Sequence, residues 1–276
     1  MAKRRTGWTE EKIERYIKEG RGQGSGLDYK PWLTIQDVPS EGLATREKGW
    51  KTNRIHHFMS NLERSYFYIC EWSDYVTDIR EHFPLYRDLT YEISEQIGIN
   101  HPIDPVNKVP TVMTTDFLIT VKKQGKTETL ARTIIPSEAL EDKRKLEKLE
   151  IERTYWEHQE IDWGIVTEKQ FNKEFTRNME WIHQSYYYHG EFTSSSLTSL
   201  SSELKKRIRQ ENRSVIEVLS EMDLELHLDD GMSLGILKYL IAHKEIGIDI
   251  SKRFQTHHYI GDSIKSVQDK RLVVIT

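Results

Sequence analysis

The sequence carries one cysteine, Cys70, in 276 residues. That excludes an intramolecular disulfide framework and any multi-cysteine zinc site. Nowhere is there an apolar run near the ~20 residues that a bilayer span requires, and the mean hydropathy is -0.67. The basic start Met1-Ala2-Lys3-Arg4-Arg5 leads into polar Thr6-Gly7-Trp8-Thr9-Glu10, where a secretion signal needs an apolar core. The expectation is a cytoplasmic protein with no membrane contact. Charge of one sign is also lacking: 40 Lys and Arg stand against 44 Asp and Glu, for a formal net charge of -4. This excludes the histone or ribosomal type of wholesale polyphosphate binder, while leaving room for a local basic patch. Internal repeats are absent.

What is present reads as two textures. Residues 9–19 predict a short charged helix with Thr9 as N-cap, followed by Gly20-Arg21-Gly22-Gln23-Gly24-Ser25-Gly26, read as a linker that lies along nucleic acid. Ser60-Asn61-Leu62-Glu63 matches a capping box, so Glu63 opens a helix whose apolar stripe includes Phe67 and Cys70. Residues 76–85 predict a strand closed by Pro84. From Val109 to Ile135 the period switches to two, and Gln124-Gly125 supplies a two-residue hairpin turn. In that register paired positions sum to about 249, which sets Thr133 opposite Asp116 and Ile135 opposite Thr114, all on one face, with Arg132 on the other. Pro136-Ser137 then caps a long helix, 138–159, and a strand follows at 163–167. Helix, hairpin, helix and strand describe an α/β core with a mixed sheet.

Beyond residue 168 the pattern becomes helical, with stretches at 170–189, 198–211, 213–222 and 232–243. The serine-rich Thr193-Ser194-Ser195-Ser196 is read as a break, and short strands are expected at 246–250 and 272–275. This predicts a catalytic domain over 1–168 and a winged-helix-like domain over 169–276.

Three carboxylates fall on faces that should be buried: Glu63 on its helix, Asp116 in mid-strand, and Glu152, which shares a helical stripe with Leu149 and Trp156. Burying a charge without a partner is costly. A hard divalent cation, Mg²⁺ or Mn²⁺, would relieve that cost and could activate a water for attack on phosphorus. Each residue also has a plainer reading. Glu63 can serve only its capping box, Asp116 can pair with an arginine or backbone N–H groups, and Glu152 can lie on a solvated face.

Several segments resemble one family. They are Ile17-Lys18-Glu19-Gly20-Arg21-Gly22-Gln23-Gly24, Asp28-Tyr29-Lys30-Pro31-Trp32-Leu33-Thr34, Lys51-Thr52-Asn53-Arg54-Ile55-His56-His57 and Leu62-Glu63. The series continues with Asp78-Ile79-Arg80-Glu81-His82-Phe83-Pro84-Leu85, Thr115-Asp116-Phe117-Leu118 and Leu146-Glu147-Lys148-Leu149-Glu150-Ile151-Glu152-Arg153-Thr154-Tyr155-Trp156. In this order they resemble TnsA, the endonuclease subunit of heteromeric bacterial transposases, which has a PD-(D/E)xK, restriction-endonuclease-like core. The resemblance implies Mg²⁺-dependent hydrolysis of the 5′ strands at transposon ends. It also implies a DDE-type transposase partner of the integrase superfamily, an AAA+ ATPase regulator, and catalytic and metal-holding roles for Glu63 and Asp116. The family's Gln-x-Lys before a proline is here Thr133-Ile134-Ile135-Pro136. A lysine there orients water and offsets charge on phosphate, and Ile135 does neither. Lys143 and Lys145 are the candidates for a displaced cation. The alternative is a nuclease-fold module that no longer cuts and scaffolds its partners.

Lys3, Arg4, Arg5, Arg15 and Lys18 form a local basic region suited to DNA phosphates. The acidic Glu217, Glu221, Asp223, Glu225, Asp229 and Asp230 suit a protein partner better than DNA. His56-His57 and His257-His258 are adjacent pairs, which seldom ligate one metal, and Cys70 reads as a core residue.

Overall fold

Thr9 caps the first helix, α1 (Glu10–Lys18), its hydroxyl accepting from the Lys12 N–H at 3.2 Å. A short antiparallel pair follows, β1 (Thr45–Lys48) and β2 (Ile55–Phe58), and then α2 (Asn61–Trp72), with Ser60 as its N-cap. Next come β3 (Val76–Pro84), α3 (Arg87–Gln96), β4 (Thr114–Lys123), β5 (Lys126–Ile134), α4 (Lys143–His158) and β6 (Asp162–Val166). The computed structural model describes residues 7–37, 44–187, 193–210 and 212–265. Lys3, Arg4 and Arg5, and the strand expected at 272–275, lie outside the described residues.

Strands β3 to β6 form one sheet in that order, antiparallel except for β5 and β6, which run parallel. The parallel step is the β5–α4–β6 crossover. The hairpin register is the one read from sequence: Phe117 pairs with Arg132 and Lys123 with Lys126. Its turn residues Gln124 and Gly125 both have positive φ, 51° and 80°, as the favoured two-residue turn demands. One face of the sheet packs Leu118 and Ala131 against Ile151, Tyr155 and Trp156 of α4. On the other, Phe117 stacks with Phe58 and meets Tyr66 of α2 edge-on. Cys70 is buried on that side, and burial pushes its thiol far up.

Three sequence expectations give way. The residues after Ser137 form a 3-10 turn, and α4 begins only at Lys143, capped by Asp142. Asp142 is extended, which ends the turn, and its carboxylate accepts from the Arg144 and Lys145 N–H groups at 2.8 and 3.2 Å. The Gly20–Gly26 run is packed rather than a linker. A Cβ on Gly22, whose φ is +79°, would lie 2.3 Å from Pro84 Cγ, and Arg21 donates to the Trp32 carbonyl and to Asp37 at 3.0 and 2.7 Å. The serine-rich segment opens a helix that starts at Ser194, and the Thr193 hydroxyl accepts from the Ser196 N–H at 3.3 Å.

A second unit begins at Asn172. It contains α5 (Lys173–Ile182), α6 (Ser194–Gln210), α7 (Val215–Glu225) and α8 (Met232–Ala242). A two-stranded pair, β7 (Gly247–Ile248) and β8 (Ile264–Lys265), flanks α9 (Ile260–Ser263). Helix α8 is apolar and supplies Ile236, Leu237, Leu240 and Ile241 to the core. Asp223 is buried, and its carboxylate accepts from the Gly231 and Ser233 N–H groups, both at 2.8 Å, at the start of α8.

Candidate active site

Where β3 and β4 run side by side, Glu81 pairs with Phe117 and Phe83 with Thr115. In a regular strand, residues two apart share a face. Here they do not. Glu81 and Phe117 face the α2 side, where Glu81 meets Arg54 and His56 and Phe117 meets Phe58. Phe83 and Thr115 face α4, both against Trp156. Both strands therefore change face between these two pairs, at His82 on β3 and Asp116 on β4. His82 has a φ of +48°, a left-handed conformation uncommon for a residue with a Cβ.

The face change decides where the three carboxylates sit. Glu63 lies in the first turn of α2 and is only 7% exposed. Its backbone N–H donates to the Ser60 hydroxyl at 3.1 Å, Ser60 in turn donates to Oε1 at 2.9 Å, and the Met59 N–H donates to Oε2 at 2.8 Å. The capping role is thus real, and it also fixes the carboxylate's direction. The ring Nε2 of His82 stands 3.6 Å from Oε2.

Asp116 sits where β4 and β5 stop pairing, one residue beyond the Phe117–Arg132 rung. Its Oδ2 accepts the Ile134 N–H at 2.7 Å. Burial pushes its carboxyl well above the usual range, and the nearby charge of Glu63 pushes it further, with Glu152 adding a smaller contribution. After burial, Glu63 is the charged neighbour that acts most on Asp116.

Glu152 behaves differently. Its Oε1 accepts hydroxyl bonds from Thr115 and Thr133, both at 2.6 Å, while Trp156 donates to Thr115 at 2.7 Å and Trp163 to Thr133 at 3.1 Å. Burial lifts its carboxyl. This cluster ties the ends of β4 and β5 to α4. It also corrects the expected grouping of faces: Thr115, and not Thr114, joins Thr133, because β4 changes face. Among the described residues no set of three acidic, His or Cys side chains stands at metal-ligating spacing, so Glu152 does not complete a three-carboxylate cluster with the other two.

Ile135 is half-buried and its N–H donates to the Val166 carbonyl at 3.0 Å. Arg132, on the opposite face as expected, is spent on the Asp162 carboxylate at 2.7 Å and the Asp162 carbonyl at 3.0 Å. Lys143 and Lys145 are exposed. Lys143 borders a surface groove with Ile99, Leu146 and Trp163, while Lys145 continues the stripe of Leu149, Glu152 and Trp156 at the helix start. Arg15 and Lys18 are each within reach of a glutamate one turn away, Glu19 at 3.6 Å and Glu14 at 3.9 Å, so the described part of the basic region is charge-balanced. Sequence reading passed over His82 and Thr115. A strand residue gives no sequence signal that its backbone will turn left-handed unless it is glycine or asparagine.

Glu63 and Asp116 are the two carboxylates whose hard oxygen donors could hold a divalent ion, with Asp116 raised first by burial and then by the charge of Glu63. Residues 73–168 match the family model described as TnsA-like endonuclease N terminal, and residues 170–250 match the one described as TnsA endonuclease C terminal. The chain is also 40% identical over 258 residues to the Escherichia coli protein "Transposon Tn7 transposition protein TnsA", covering 93% of this chain and 92% of that one.

Proposed function

The chain belongs to the TnsA endonuclease family, and from that premise we propose that it is the subunit that hydrolyses the 5′ strands at transposon ends during cut-and-paste transposition. The carrying observation is a pair of carboxylates held by the fold, Glu63 fixed by Ser60 and the Met59 N–H and Asp116 by the Ile134 N–H where β4 changes face, with the charge of Glu63 helping to raise Asp116. The core around them is read as restriction-endonuclease-like, over residues 1–168. Glu63 and Asp116 would hold Mg²⁺, or Mn²⁺. The ion would polarise a phosphoryl oxygen and acidify a bound water. Ser60 and the Met59 N–H orient Glu63, and the Ile134 N–H orients Asp116. Glu152 keeps Thr115 and Thr133 locked, so the strand ends on either side of Asp116 stay in place.

Lys145 is the favoured source of the displaced positive charge. It lies two turns ahead of Glu152 on the same stripe of α4. Residues 169–276 are read as a winged-helix-like, partner-contacting domain that meets a DDE-type transposase and an AAA+ ATPase.

The test is strand cleavage on transposon-end DNA with the cognate transposase and Mg²⁺ or Mn²⁺. Asp116→Ala and Glu63→Ala should each reduce 5′-strand cutting by at least about 10²-fold, and normal cutting by both would remove the site. Ile135 favours one second reading, a scaffold that has lost cutting. On that reading the natural chain is inert and Ile135→Lys creates cleavage.

A further inference from the structure

His82 is the residue at the face change that the proposed chemistry leaves unused. It is 3% exposed, within a strand, and left-handed at a φ of +48°. A residue with a Cβ held there is strained, and such strain concentrates at functional positions. The consequence is geometric. In a regular strand the side chain after Glu81 would point to the α4 side. The left-handed turn sends it to the same side as Glu81, where its Nε2 is 3.0 Å from the His57 carbonyl oxygen and 3.6 Å from Glu63 Oε2. Toward the carbonyl, Nε2 can only donate.

The His57 carbonyl is itself firmly placed. The His57 N–H donates to Glu81 Oε1 at 3.2 Å, and the same carboxylate binds the Arg54 guanidinium through both of its oxygens and His56 Nδ1 at 2.8 Å. Thr52 closes the chain on His56 Nε2 at 2.7 Å. A fully buried, multiply bonded carboxylate therefore fixes β2 against β3, and β2 fixes the acceptor that aims His82 at Glu63.

We infer that His82 is a positioning residue for Glu63: its Nε2–H, donated to the His57 carbonyl, places positive N–H charge 3.6 Å from Glu63 Oε2, beyond hydrogen-bond distance, and that attraction holds Oε2 in the direction set by the Met59 N–H and Ser60. His82 is not a third ligand, since it forms no metal-spaced set with the carboxylates. The inference rests on the reading of Glu63 as a metal-holding group, and its test separates the two.

The full-length chain is titrated with Mn²⁺ by calorimetry, without DNA or partners. The variants are Glu63→Ala, His82→Gln and His82→Asn. Asparagine tolerates positive φ, so His82→Asn keeps the backbone while drawing the N–H donor back from Glu63. Glutamine carries an N–H about as far out as Nε2. Loss of a group that orients a metal ligand typically costs about 10- to 100-fold in metal affinity. His82→Asn is therefore expected to weaken Mn²⁺ binding by about tenfold or more, with His82→Gln staying within about threefold of the natural chain. Glu63→Ala is expected to abolish binding. Undiminished binding in His82→Asn overturns the inference, as does an equal loss in His82→Gln, which would point to the imidazole's shape instead of its donor. If Glu63→Ala binds Mn²⁺ normally, the metal site itself is wrong and the inference falls with it.

Discussion

Glu71 and Glu81 are both buried, at 3% and 0% exposure, yet their carboxyls are shifted in opposite directions. Burial alone would lift the Glu81 carboxyl, but the His56 ring and the Arg54 guanidinium hold it well below the usual range. For Glu71 burial outweighs the Trp50 and Lys51 backbone hydrogen bonds and the charges of Lys51 and Arg54. Its Oε2 accepts the Trp50 N–H at 2.5 Å and its Oε1 is buried without a hydrogen bond, so burial pushes its carboxyl up to about 7. The folded chain therefore keeps a proton on Glu71 after the unfolded chain has lost it at its ordinary value of 4.5. Stability from this group is fully present below pH 4.5, falls as pH rises to about 7, and is flat above that. A rise of that size corresponds to roughly 3 kcal/mol lost across the window. Glu71→Gln removes the titration, so its denaturant-unfolding free energy should gain on the natural chain by an amount of that order between pH 4.5 and 7.5. Parallel curves for the two proteins would show that Glu71 is ionised in the fold. The site is legible at this scale only in part. Glu63 announced itself through Ser60 and the apolar stripe behind it, and Asp116 through its place in a period-two run. His82 stayed hidden because a left-handed backbone at a histidine is imposed by packing against β2 and β4, and no local residue type encodes it.

Helix α4 shows the same limit for an element. The sequence reading starts the helix after Pro136-Ser137, since local propensity favours that longer span. The structure starts it later, at Lys143, because Ser137 N donates to Glu168 Oε2 at 2.7 Å and is drawn toward the end of β6. Only the fold brings Glu168 there. The N-cap is then Asp142, and an N-cap carboxylate replaced by alanine costs about 1 kcal/mol. Asp142→Ala should lower stability by about that amount in equilibrium unfolding, and a change near zero would place the helix start elsewhere. The hairpin, in contrast, was readable down to its register. Alternation fixes the faces of β4 and β5, and a two-residue turn fixes the offset, so Phe117 against Arg132 followed from sequence alone. Prediction from that register breaks at Asp116, where tertiary contacts take over: the Thr115 hydroxyl is held between Glu152 and Trp156 on the α4 face.

For the whole molecule, the near-balance of charge recurs as local pairing. In the second unit Lys205 pairs with Glu245, Arg207 with Glu203 and Glu225, Arg213 with Glu221, and Arg177 with Glu174. The acidic run read as an open face is partly consumed in the same way, with Glu217 capping α7 and Asp223 buried at the start of α8. In the first unit Arg15 and Lys18 are balanced by Glu19 and Glu14. Cations already neutralised by neighbouring carboxylates displace few counterions from DNA. Each phosphate neutralised contributes about -0.9 to the slope of log affinity against log salt, and a protein that grips about 6–10 phosphates loses affinity steeply. The full-length chain alone should therefore bind nonspecific duplex weakly, with a slope shallower than about -4, measured by fluorescence anisotropy between 50 and 200 mM salt. Adding the cognate transposase should steepen it, since the partner then supplies the phosphate contacts. A steep slope for the chain alone would mean that Lys3, Arg4, Arg5 and the exposed lysines together form a DNA-gripping surface, and that this subunit finds its own substrate.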